Sequence, residues 1–172
     1  MNLSFSAEIE RFNSDLFAFH VKVPDDIVTE ILSDENKRIL VDFNEAGLQV
    51  STALFPLGDS KYFINLNKDV RKTLKVDKGD IVKLTITRDT STYGMPMPDE
   101  MQLMLQEDPE GSKYFHALTP GKQRSLIYLV SKVKSSEKRL GKAYVIVTFL
   151  RENKGNLDYK ELNVAFKAYN NR

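Results

Sequence analysis

Phe19-His20-Val21-Lys22-Val23-Pro24-Asp25-Asp26-Ile27 returns, 43 positions on, as Tyr62-Phe63-Ile64-Asn65-Leu66-Asn67-Lys68-Asp69-Val70. In both stretches every second residue is apolar, as in a half-buried strand, and a polar, acidic start signal then opens a short helix. The match extends in both directions at the same spacing. Toward the N-terminus Phe5, Ala7 and Phe12 fall on Leu48, Val50 and Phe55. Toward the C-terminus Ile31 falls on Leu74, and Asp34, Ile39, Val41 and Phe43 fall on Asp77, Val82, Leu84 and Ile86. Each half reads strand, strand, short helix, strand. Two copies are too few for a solenoid, whose units bury their faces on one another in series. The repeat therefore predicts a pseudo-twofold six-stranded β-barrel with two short helices over residues 1–92. Phe19, Val21, Val23, Tyr62, Ile64, Leu66, Leu84 and Ile86 are its expected core.

Beyond Arg88 the alternation stops. Asp89 to Pro98 has no apolar period and contains Gly94, Pro96 and Pro98, which marks a boundary. Residues 93–172 then read as all-helical, giving an α+β chain of two domains. Met101, Met104 and Leu105 recur at helical spacing, and Thr119-Pro120 is an N-cap followed by proline at the first helical position. If one helix runs on from there, Leu126, Leu129, Val130, Val133 and Leu140 share an apolar stripe. Asp158 with Glu161 opens a last helix that buries Leu162, Phe166 and Tyr169.

The 172 residues, with 41% hydrophobic side chains and 25 Lys+Arg against 24 Asp+Glu, are those of an ordinary globular protein. The absence of cysteine removes disulfide frameworks, thiol nucleophiles, iron–sulfur ligation and Cys-based zinc sites. No basic segment followed by an apolar run stands at the N-terminus, so no membrane span is expected and the cytoplasm is the expected compartment.

No residues nominate a catalytic centre, a metal site or a cofactor. His20 reads as polar-face and His116 as a packing or surface histidine, and neither has a second ligand at metal spacing. Pro120-Gly121-Lys122 lacks the earlier glycine and the following Ser/Thr of a phosphate loop.

Two clusters stand out. From Gly121 to Lys142 seven basic residues (Lys122, Arg124, Lys132, Lys134, Lys138, Arg139, Lys142) meet one acid, Glu137. On one continuous helix most of these bases would lie opposite the apolar stripe, a face suited to an anionic ligand or an acidic protein partner. Lys134, Glu137, Arg139 and Lys142 are the candidate binding residues. Four of the five methionines, Met95, Met97, Met101 and Met104, fall close together and could line an apolar pocket at the domain junction, because thioethers adapt to varied apolar ligands.

With these residues in view, the first domain resembles the domain of unknown function 1905. The match lies in Phe5-Ser6-Ala7, Val21-Lys22-Val23-Pro24, Leu54-Phe55-Pro56-Leu57-Gly58, Tyr62-Phe63-Ile64-Asn65-Leu66 and Lys78-Gly79-Asp80-Ile81-Val82. The second resembles the YdeI/OmpD-associated (bacteriocin-protection) family in Pro98-Asp99, Asp108-Pro109, Phe115, Leu118, Thr119-Pro120-Gly121 and the basic segment. In that segment Lys134, Glu137 and Arg139 match the family pattern, whereas Val133, Lys138 and Lys142 depart from it. The resemblance implies a barrel followed by helices, a bacterial origin, and a protective or stress-related role without a known substrate. The repeat itself is similar to the swapped-hairpin barrels of AbrB-like regulators, an analogy of topology. The reading is a non-enzymatic binding protein; the alternative is nucleic-acid binding through the basic helix, with Tyr128 on the same side.

Overall fold

The computed structural model describes residues 2–32 and 37–171, so Asp34 of the repeat lies outside the described residues. The chain divides into two units, Met1–Gly94 and Met95–Arg172.

The first unit holds β1 (Leu3–Glu8), β2 (Glu10–Arg11), β3 (Phe19–Val23), α1 (Asp25–Ile31), β4 (Arg38–Phe43), β5 (Leu48–Ala53), β6 (Phe55–Gly58), β7 (Lys61–Asn65), α2 (Lys68–Leu74) and β8 (Ile81–Arg88). The strands form two four-stranded antiparallel sheets, ordered β1-β8-β4-β5 and β2-β3-β7-β6. This corrects the expectation of one six-stranded barrel. The first strand of each half is broken or ended at a single residue, Ile9 between β1 and β2 and Leu54 between β5 and β6, where the chain passes from one sheet to the other. Both are almost wholly buried, at 0% and 2% exposure. Their amides leave the ladders and donate to Asp80 and Lys37 carbonyls. An apolar alternation runs through such a corner unchanged, so the pattern shows the strands without showing the switch.

Each sheet contains strands from both halves, and one core joins them. Val21, Val23, Ile39, Val41, Ile64, Leu66, Leu84 and Ile86 are buried together in it, with Phe19 and Tyr62 partly buried against it. The pairings map onto themselves when the halves are exchanged. Val21 sits opposite Ile64, and Asp42 opposite Thr85, each pair being 43 residues apart. The first strands keep a different spacing. Leu3 pairs with Ile86 while Leu48 pairs with Phe43, and Glu10 pairs with His20 while Phe55 pairs with Phe63. Leu3 and Glu10 thus correspond to Leu48 and Phe55, an offset of 45. The constant offset of 43 holds only from β3 onward. Since side chains alternate with period two, a two-residue slip leaves every residue on its original face, and the apolar pattern conceals it. The two extra residues lie in the 12–18 loop.

Local chemistry sets the helices. Asn67 caps α2 by accepting from the Val70 amide at 2.9 Å, and Lys75 ends it at φ 57°. Gly79, at φ 91°, then turns the chain into β8 as its position suggests. Asp25 and Asp26 stand in the first turn of α1, near its positive end.

The second unit is helical: α3 (Asp99–Glu107), α4 (Pro109–Ala117), α5 (Pro120–Ser131), α6 (Ser136–Glu152) and α7 (Tyr159–Asn170). Here α6 is central, packing against each of the other four. Its Val145-Ile146-Val147 run is buried throughout, and that burial outweighs the weak helix preference of β-branched residues. The single helix expected from Thr119 through Lys142 is in fact two, interrupted over residues 132–135. Ser135 accepts from the Lys138 amide and starts α6 anew. Leu140, placed on the apolar stripe by a continuous helix, is accordingly exposed. Leu162 and Phe166 are buried on α7 as expected, but Tyr169 is exposed near its end.

Candidate functional site

The break between α5 and α6 is held by an arginine. Arg139, one turn into α6, donates from Nη1 to the carbonyls of Val133 (3.1 Å) and Lys134 (2.9 Å) and from Nη2 to Glu100 on α3 (2.8 Å). Ser136 donates to the same Glu100 oxygen at 2.6 Å. The hydrogen bonds from Arg139 and Ser136 hold the Glu100 carboxyl down to about 2, and the carboxylate in turn raises the Arg139 pKa. A guanidinium suits this post because its fixed fork can satisfy two carbonyls and a carboxylate at once. Arg139 is thus the clamp of the turn.

The remaining candidates separate. Lys134 is exposed in the interhelical segment, outside any helix. Glu137 and Lys142 line one groove of about 430 Å³ between the start of α6 and the end of α7, together with Val133, Lys138, Gly141, Tyr169 and Asn170. Gly141 permits the closeness of the two helices: a Cβ there would lie 2.7 Å from Tyr169 Cε1. The Lys142 ammonium lies 4.8 Å from the Phe166 ring centroid. Burial of its stem, and then the charge of Lys132, push its pKa down. Among the described residues no carboxylate forms a salt bridge with Lys142. A cation repelled by its neighbour and lacking a counterion gains from an anion entering the groove. Lys138 and Tyr169 complete this setting, and neither stood among the sequence candidates. The signal for them was there, in the Ser135-Ser136-Glu137 cap that resets the helical phase.

Met101 is fully buried in the helical core, whereas Met95, Met97 and Met104 are partly buried. His116 is exposed and its Nδ1 lies 2.8 Å from the Ser112 carbonyl, to which it donates. His20 departs most from expectation, being 1% exposed. Asp108 caps α4 through the Gly111 amide at 2.8 Å and accepts from Arg151 of α6 at 2.6 Å. Among the described residues no three His, Cys, Asp or Glu side chains gather to hold a metal. No helix of the described chain is long and apolar enough to cross a membrane.

The clamp, cap and groove all belong to the helical unit. Both units match known families. Residues 5–86 match the family described as Domain of unknown function (DUF1905), and residues 95–153 match the one described as Bacteriocin-protection, YdeI or OmpD-Associated. The order is the one the resemblance implied. The second match ends within the α6–α7 connection, so α6 and its clamp fall inside it while Tyr169 and Phe166 of the groove fall outside. No curated protein matches the chain.

Proposed function

We propose that this protein is a binding protein rather than an enzyme, and that the groove between α6 and α7 takes an acidic protein segment through Lys138 and Lys142. The observation that carries the reading is Lys142: a partly desolvated cation beside Lys132, without a carboxylate partner, at the edge of an apolar floor of Val133 and Tyr169. Carboxylates of a partner would relieve that repulsion, and its apolar side chains would cover the floor. In this reading the two sheets of the first unit, each built from strands of both halves of the repeat, form a duplicated, barrel-like scaffold. The protein acts in the bacterial cytoplasm in a protective role.

Titrating the full chain with a short poly-glutamate peptide and following backbone amide NMR signals tests this. Shifts centred on residues 133–142 and 166–170, weakened at least about tenfold in the Lys138→Gln/Lys142→Gln variant, are expected. Arg139 is left intact because its loss would disturb the turn. A peptide that perturbs neither region, or binds the variant equally well, overturns the reading. A short single-stranded oligonucleotide is the comparison. Tighter, steeply salt-dependent binding of it would favour the nucleic-acid alternative, which draws on exposed Tyr128 with Lys132 Nζ 5.7 Å from its ring centroid.

A further inference from the structure

The outer face of the β2-β3-β7-β6 sheet, away from the core, carries a second apolar cluster. Phe55 and Phe63 stand opposite each other there, with His20 next to them across the β3–β7 pair. The 12–18 loop folds over them. Phe12 stacks on His20 with ring centroids 3.6 Å apart, and Phe17 lies 4.7 Å from Phe55. The Phe12 amide donates to the Ala18 carbonyl at 2.7 Å and closes the loop at its base. Under this cover His20 is 1% exposed. Its Nδ1 lies 3.4 Å from the Ala18 carbonyl and its buried Nε2 has no hydrogen-bond partner.

Three other features fall on the same loop. It contains the two residues by which the halves differ in length. Phe17 holds φ 54°, a left-handed conformation that a bulky side chain seldom adopts. Leu16 and Phe17 are 75% and 44% exposed, so the tip gains little from burial. In the second half the residue corresponding to His20 is Phe63, which cannot titrate. Strain, exposed apolar side chains and an unpartnered buried nitrogen therefore coincide in the half that carries the histidine.

We propose that residues 12–18 are a proton-operated latch, closed over the sheet while the His20 imidazole is neutral and released when it is protonated. A neutral imidazole can leave Nε2 as an idle acceptor among phenyl rings. Protonation makes Nε2 a charged donor with nothing to receive it, and opening the loop lets water do so. The charged groups facing His20 are Glu10, opposite it on β2, and Lys22 on its own strand. They pair with each other at 2.9 Å, so their fields largely cancel at the ring. From β7 it faces Phe63 and Asn65, and from the loop Phe12, all without charge. Burial thus dominates and lowers the His20 pKa from its ordinary 6.5. With the closed state below and the open state near the ordinary value, stability of the closed latch is complete above about 6.5. It declines as pH falls, by about tenfold in the opening equilibrium per pH unit, until the closed-state value is reached.

Amide hydrogen exchange of the full chain, corrected for its intrinsic pH dependence, reads this at Phe12 and through the loop. Protection there should fall as pH is lowered from about 7.5 to about 5. In His20→Phe, which installs the residue the second half uses, it should not change with pH. An equal pH response in both proteins overturns the proposal. NMR titration of the His20 ring in the native chain is independent of any variant, and a pKa at or above the ordinary histidine value overturns it too.

Discussion

Glu100 and His20 show how one side chain's surroundings decide whether its charge stabilises the fold. Glu100 gathers donors from Arg139 and Ser136, so its ionised form is the one the fold favours. A carboxyl held near 2 in the folded chain, against an ordinary 4.5, adds stability that is complete above the ordinary value and is lost as pH falls toward 2. The thermal midpoint of the helical unit should therefore drop on acidification from about pH 5 to about pH 3, and drop less in Glu100→Gln, where that proton has no site. Identical drops in the two proteins would show that the clamp adds nothing through its charge. Neither surrounding was legible in the sequence. His20 occupies a polar-face position by alternation, and only the loop folded over the outer face turns that position into an interior one.

Among the elements, α6 was the least legible and the most consequential. The spacing of Leu126, Leu129, Val130, Val133 and Leu140 fits one helical stripe although Leu140 is exposed, so spacing alone ran α5 and α6 together, and the Ser135 cap that separates them was hidden inside a basic run. By contrast, Thr119-Pro120 and Asp158 start α5 and α7 in the structure as their residue types indicate. How closely α6 is approached could not be read from spacing at all, because it depends on glycines. A Cβ on Gly111 of α4 would come within 2.5 Å of Val147 Cγ1 and 2.7 Å of the Val147 carbonyl oxygen. The oxygen is backbone and cannot swing aside, so Gly111→Ala must push α4 off α6, at a cost of about 1–3 kcal/mol. Gly121, in the first turn of α5, has nothing within 4 Å of the same position. Gly121→Ala should instead stabilise by about 0.5–1 kcal/mol, chiefly by restricting the unfolded chain. Urea unfolding of the two variants measures both, and like signs would mean that α4 and α6 are not in backbone contact.

At the scale of the whole chain, the repeat was legible because equivalent apolar residues must face one interior, and it was legible with an error of two because strands alternate in twos. The consequence is that the first unit should tolerate changes of even length where it rejects odd ones. Deleting Asp15 and Leu16, both exposed, shortens the stretch from Glu10 to His20 to the length of its counterpart from Phe55 to Phe63 and restores a uniform offset of 43. The sheets keep every pairing, so stability should change by no more than about 1 kcal/mol. Deleting Ser6 alone is a smaller edit with a larger effect. It moves Leu3 and Phe5 to the opposite face of β1, away from the core they pack against, unless β1 gives up its pairing with β8. A cost above about 2 kcal/mol is expected from the apolar surface returned to water. Equal stabilities for the two deletions, measured by urea unfolding, would show that β1 slides freely along β8 and that the correspondence between the halves does not fix its register.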